Sequence, residues 1–60
     1  MKEYELRIEV SYKPNETILY NCFKEFVKAN NKNEAKRIVK EKYKDYGYRT
    51  MSVYEIYEVK

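Results

Sequence analysis

From Glu3 to Tyr12 apolar and polar residues alternate without a break. Tyr4, Leu6, Ile8, Val10 and Tyr12 share one parity, and Glu3, Glu5, Arg7, Glu9 and Ser11 share the other. A period of two sends successive side chains to opposite faces of an extended chain. The stretch therefore predicts a strand with one buried and one polar face. Lys13-Pro14-Asn15-Glu16 reads as a turn, because proline presets φ and asparagine tolerates the left-handed region. A hairpin into residues 17–29 is the natural continuation.

That second segment supports two readings. Ile18, Leu19, Cys22, Phe23, Phe26 and Val27 are spaced like the apolar stripe of a helix. Thr17, Ile18, Tyr20, Phe23, Phe26 and Val27 are residue types that prefer strands, and they tip the reading to an extended segment. Ile18, Tyr20 and Cys22 then share a face, while Val27 and Ala29 have the opposite parity. A β-bulge within residues 22–27 is expected to restore the inward phase. The helical alternative gives the order βααβ.

Residues 33–46 predict a helix. Asn33 is a capping residue whose side chain accepts from first-turn amides, and Glu34 suits the positive end of the helix dipole. Ala35, Ile38, Val39, Lys42, Tyr43 and Tyr46 form one stripe. Gly47 offers the left-handed residue that ends helices. Residues 48–59 predict the last strand. Met51, Val53, Tyr57 and Val59 fall on one parity, and Tyr48, Tyr54 and Ile56 on the other, so both faces are expected to be partly covered.

The expected fold class is α+β, a single domain over residues 1–60. The order is ββαβ, with a three-stranded antiparallel sheet of strand order 2-1-3 and the helix packed on one face. The strand–helix–strand crossover is expected to be right-handed. Tyr4 to Tyr12 is then the central strand.

Size and composition narrow the function. A domain of 60 residues buries only about 60% of the surface its unfolded chain exposes. Cys22 is the only cysteine and histidine is absent, so neither an internal disulfide nor a Cys/His zinc site braces it. Eight tyrosines and two phenylalanines supply apolar area instead. The unpaired cysteine favours a reducing compartment. The first residues, MKEYELRIEV, lack a signal-peptide core, and no apolar run is long enough to span a membrane. A cytoplasmic protein is expected.

No histidine serves general acid–base chemistry. Glu3, Glu5 and Glu9 read as a solvated strand face held by Arg7, and Cys22 as a packed core thiol. No phosphate-binding glycine loop occurs. The expectation is a protein that is not an enzyme, with no cofactor, no metal and no small-molecule substrate.

Two surfaces are candidates for binding. The open face of the sheet is expected to carry Arg7 at its centre, with Leu19, Phe23, Tyr54 and Ile56 from the flanking strands. Apolar groups of that extent mark interfaces, and tyrosine suits them because one end is apolar and the other tolerates water. The second surface is the basic side of the helix. Lys28, Lys32, Lys36, Arg37, Lys40, Lys42 and Lys44 crowd residues 28–44 against Glu34 and Glu41, in a chain of net charge +3. Lys32, Lys36, Arg37, Lys40 and Lys44 are the candidates for meeting phosphates. Lysine is also an ordinary solubilising helix residue, and arginine, the better reader of phosphates, is scarce.

The run from Val27 to Tyr43, with Val27-x-Ala29, then Glu34-Ala35, then Ile38-Val39 and Tyr43, resembles the strand-into-helix segment of small DpnD/PcfM-like proteins carried by phages and mobile elements. The resemblance implies origin rather than activity. It suggests a small accessory protein that blocks or redirects a host protein in the host cytoplasm, and it assigns no functional residue. The leading expectation is thus a protein-binding accessory or inhibitor module, acting on a protein partner or on itself as a homodimer. The alternative is nucleic-acid binding through the helix.

Overall fold

The computed structural model describes residues 1–59. Among them the order is β1 (Lys2–Tyr12), a 3-10 turn (Pro14–Glu16), β2 (Leu19–Ala29), α1 (Lys32–Tyr43) and β3 (Thr50–Val59). The class is α+β, and the sheet has the strand order β2-β1-β3 with both pairings antiparallel.

β1 is central because its alternation is the cleanest in the chain. Tyr4, Leu6, Ile8 and Val10 are buried beneath α1, joined by Ala29, Ala35 and Val39. Fully burying an aliphatic side chain of this size stabilises by about 1.5–3 kcal/mol. Phe23, Val27, Tyr43, Tyr48, Met51, Val53 and Ile56 pack around that nucleus. Ser11 is also buried, and its hydroxyl meets that of Thr50. The amide of Arg49 donates to the Ser11 carbonyl at 2.7 Å, which fixes where β3 begins.

The hairpin closes by a tight turn in which the Thr17 amide donates to the Pro14 carbonyl at 3.1 Å. Asn15 and Glu16 both have positive φ, 51° and 70°. Such a turn has the twist that antiparallel strands require. Asn15 fills its position cheaply, whereas Glu16 holds one that favours glycine.

Residues 19–29 form a strand, as the residue types indicate, but the bulge is elsewhere. β2 pairs with β1 without interruption from Tyr12↔Leu19 to Lys2↔Ala29. Leu19, Phe23, Val27 and Ala29 are therefore on the helix side, and Tyr20, Cys22 and Phe26 on the open side. The register slip lies between β1 and β3. Arg7 pairs with Glu55 and Ile8 with Val53, which leaves Tyr54 as the extra residue. The two parities of β3 follow from that single insertion. Met51 and Val53 face the helix, and beyond Tyr54 it is Ile56 that does so, opposite Leu6.

The helix begins earlier than expected. Asn31, not Asn33, is the N-cap, and its side chain accepts from the Glu34 amide at 2.8 Å. Glu34 reaches back to Asn30, accepting from its amide at 3.4 Å and its side-chain nitrogen at 3.2 Å. The Asn31 side chain thus satisfies one of the first-turn donors that a helix leaves unpaired, and Glu34 ties down Asn30 just outside the helix. The helix ends at Tyr43 rather than at residue 46. Gly47, at φ +78°, lies beyond the turn of residues 44–46 and directs the chain toward β3.

At about 1.5 Å per residue the helix spans about 18 Å, whereas β2 at about 3.3 Å per residue spans about 36 Å. α1 lies chiefly over β2 and reaches only half its length. The rest of that face is roofed by the tyrosines that follow. Phe23 packs on Tyr43 with centroids 5.3 Å apart, Tyr43 on Tyr46 at 4.7 Å, and Tyr46 on Tyr48 at 6.0 Å. No described helix is long and apolar enough to cross a membrane.

Candidate functional site

The open face of the sheet is assembled from three strands whose register fixes its members. β1 contributes Glu3, Glu5, Arg7 and Glu9 down the middle. β2 contributes Tyr20, Cys22, Lys24, Phe26 and Lys28 on one side, and β3 contributes Tyr54, Glu55, Tyr57 and Val59 on the other. No described element packs over it. Tyr20 is 65% exposed, Phe26 57%, Tyr54 51% and Tyr57 49%.

The centre of this face is a charged line with internal partners. The Nε of Arg7 donates to Glu5 at 3.3 Å, and the guanidinium lies 5.8 Å from the Tyr57 ring centroid. Tyr57 donates its hydroxyl to Glu55, which faces Arg7 across the strands. The Glu5 carboxylate holds the Arg7 pKa above its ordinary value. Its hydrogen bond to Glu55 raises that of the Tyr57 hydroxyl, with burial adding to the effect. Partial burial, with Cys22 nearby, raises that of Tyr54. The face is thus a ring of aromatic area around fixed charges, a composition suited to a polar-apolar contact with another macromolecule.

Of the side chains expected on this face, Arg7 and Tyr54 are there. Leu19, Phe23 and Ile56 are on the opposite side, toward the helix. The reason is the location of the bulge: an unbulged β2 sends odd residues inward, and the Tyr54 insertion turns Ile56 inward. Cys22, expected as a core thiol, is exposed on the open face, its Sγ 4.0 Å from a Glu9 carboxylate oxygen. The same correction brings in Tyr20, Phe26 and Tyr57. Continuing the hairpin register in steps of two from the Pro14–Thr17 turn would have found the first two.

The basic helix is less concerted than its sequence implies. Lys44 is paired with Glu41 at 3.1 Å, and Lys42 reaches across to Glu25 at 2.7 Å. Among the described residues Lys32, Lys36, Arg37 and Lys40 carry no ion pair.

Glu25 is the one carboxylate on the helix side of β2 that packs beneath α1. It accepts from the Lys42 ammonium and from the Tyr43 hydroxyl. Burial alone would push its pKa up, but the two donors more than reverse this and hold it below the ordinary carboxylate value. Burial, with Glu25 as hydrogen-bond acceptor, pushes the Tyr43 hydroxyl up to about 12. No group of three or more metal-ligating side chains occurs among the described residues.

No family model, curated protein or solved structure matches the chain.

Proposed function

We propose that this chain is a non-catalytic, cytoplasmic protein-binding module, of the accessory or inhibitor kind, that engages a protein partner through the open face of its sheet. One observation carries the reading: Tyr20, Phe26, Tyr54 and Tyr57 are about half exposed or more on the side of the sheet away from the helix. Tyrosine and phenylalanine around an arginine are the residue types that anchor protein interfaces. The resemblance of residues 27–43 to small phage and mobile-element proteins is consistent with an accessory role on a host protein.

A second reading rests on Lys32, Lys36, Arg37 and Lys40, a cationic row along α1 with no ion pair among the described residues. Nucleic-acid binding through this row would weaken steeply as salt rises, by counterion release.

Partner capture with two double variants separates the readings. Phe26→Ala with Tyr57→Ala removes aromatic area from the face, and both positions are exposed, so the fold should survive; circular dichroism checks this. The expected result is that the partner held by the unaltered chain is lost from this variant and kept by Lys36→Ala with Lys40→Ala. The reverse result, together with salt-sensitive retention of RNA or DNA, would overturn the proposal in favour of the second reading.

A further inference from the structure

The free edge of β2 points to a second copy of this chain as its occupant. The two edges of the sheet differ. β3 carries the bulge at Tyr54, and a bulge bends a strand and blunts its edge against pairing. β2 pairs with β1 throughout its length without a bulge and contains no proline. A long, regular edge of this kind is a template for another strand.

We propose that two copies join through antiparallel pairing of their β2 strands, centred on Phe23, into one continuous six-stranded sheet. The two-fold axis stands perpendicular to the sheet, so both helices lie on the same side and paired residues share a face. Only residues of equal parity can then face each other, which leaves a short list of registers. Centring on Lys24 sets two ammonium groups opposite each other, and centring on Glu25 sets two carboxylates. Centring on Cys22 places Leu19 against the second copy's Glu25. Centring on Phe23 opposes no like charges. It pairs Leu19 with the second copy's Val27 on the helix side, Tyr20 with the second copy's Phe26 on the open side, and Phe23 with itself.

The helix supplies an independent reason for the same register. α1 covers β2 from Ala29 back to about Phe23, where Tyr43 rests on the Phe23 ring. Leu19, beyond the helix, is 41% exposed, and Tyr46 at the end of the roof is 59% exposed. Pairing centred on Phe23 lays the two helices end to end over the joined sheet, each beside the half of the other copy's β2 that the other copy's helix does not reach. A centre nearer Ala29 would make the helices overlap, since neighbouring strands are only about 4.8 Å apart and packed helices need about 8–10 Å. A centre nearer Leu19 would leave a gap between them. Leu19 and Tyr46 become covered, and the two open faces merge into one.

Sedimentation together with a mixed thiol pair tests this. In the proposed register Cys22 faces residue 24 of the second copy, both positions are exposed, and the two Cys22 residues lie on a diagonal too long for a disulfide. One chain is the unaltered protein, and the other carries Cys22→Ser with Lys24→Cys. Under mild oxidation the mixture is expected to yield a covalent heterodimer, and neither chain alone a covalent homodimer. The unaltered chain is expected to sediment as a dimer. A monomer at every concentration overturns the inference while leaving the open-face reading intact. So does a mixture that fails to cross-link. A covalent homodimer of the Lys24→Cys chain would show the Lys24-centred register and overturn this one.

Discussion

On the helix side of β2, the Glu25 carboxylate lies between Phe23 and Val27, where an apolar residue would ordinarily pack. It is tolerated because Lys42 and Tyr43 both donate to it. The linkage has two limbs. The Glu25 pKa is lowered on folding, so its contribution is present above the ordinary carboxylate pKa and is lost as pH falls through the folded value. The Tyr43 hydroxyl is raised to about 12, so its contribution is complete below its ordinary pKa of 10.0 and is lost as pH rises toward 12. Tyr43→Phe should cost about 1.5 kcal/mol at neutral pH, the lower end for a hydrogen bond to a charged group. The gap between variant and unaltered chain should narrow once the tyrosine ionises. Urea unfolding of both proteins at pH 8 and pH 11 measures it, and an undiminished gap at the higher pH would contradict the assignment.

At the scale of elements, the same carboxylate explains what the sequence hides. β1 is legible because every one of its inward positions from Tyr4 to Val10 is apolar. β2 is not, because Asn21 and Glu25 occupy inward positions while Tyr20, Cys22 and Phe26 face out, so its outward side reads as the core side. Lys42 within the helix stripe was the available hint: a cation on the buried edge of a helix calls for an acidic partner beneath it. The bulge at Tyr54 left a clear trace, the switch of apolar parity between Val53 and Ile56, but one insertion and two covered faces produce the same trace. Those two phases carry Leu19, Phe23 and Ile56 to the helix side, while Arg7, Tyr54 and the glutamates of β1 are on the open face as the alternation predicts. The helix cap was legible in principle, since Asn31 and Glu34 have the spacing of a reciprocal cap, although Asn33 offers the same side chain. Asn31→Ala should lower stability by about 1 kcal/mol. Asn33→Ala, inside the first turn and without a cap bond, should change it little. Thermal unfolding of the two variants distinguishes them, and equal losses would argue against the Asn31 cap.

The whole molecule is an elongated sheet, 42 Å in its longest dimension, half roofed by a helix and half by tyrosines. Its backbone amides should exchange with solvent in a way that reports both topology and association. β1 has a strand on each side, so apart from the slip at Arg7 and Ile8 its amides donate to β2 or β3. They should open only with global unfolding, the slowest class of exchange. In β2 and β3 alternate amides point away from β1, and in a lone chain these have no partner in the sheet. If two copies pair through β2, its outward amides gain partners and those of β3 do not. Hydrogen exchange at high protein concentration should therefore show β1 uniformly slow, β2 slow throughout, and β3 alternating. On dilution β2 should revert to alternation while β1 is unchanged in rank. Alternation in β2 that is indifferent to concentration would leave the edge unoccupied, and uniform protection of β3 would place the partner on the other margin of the sheet.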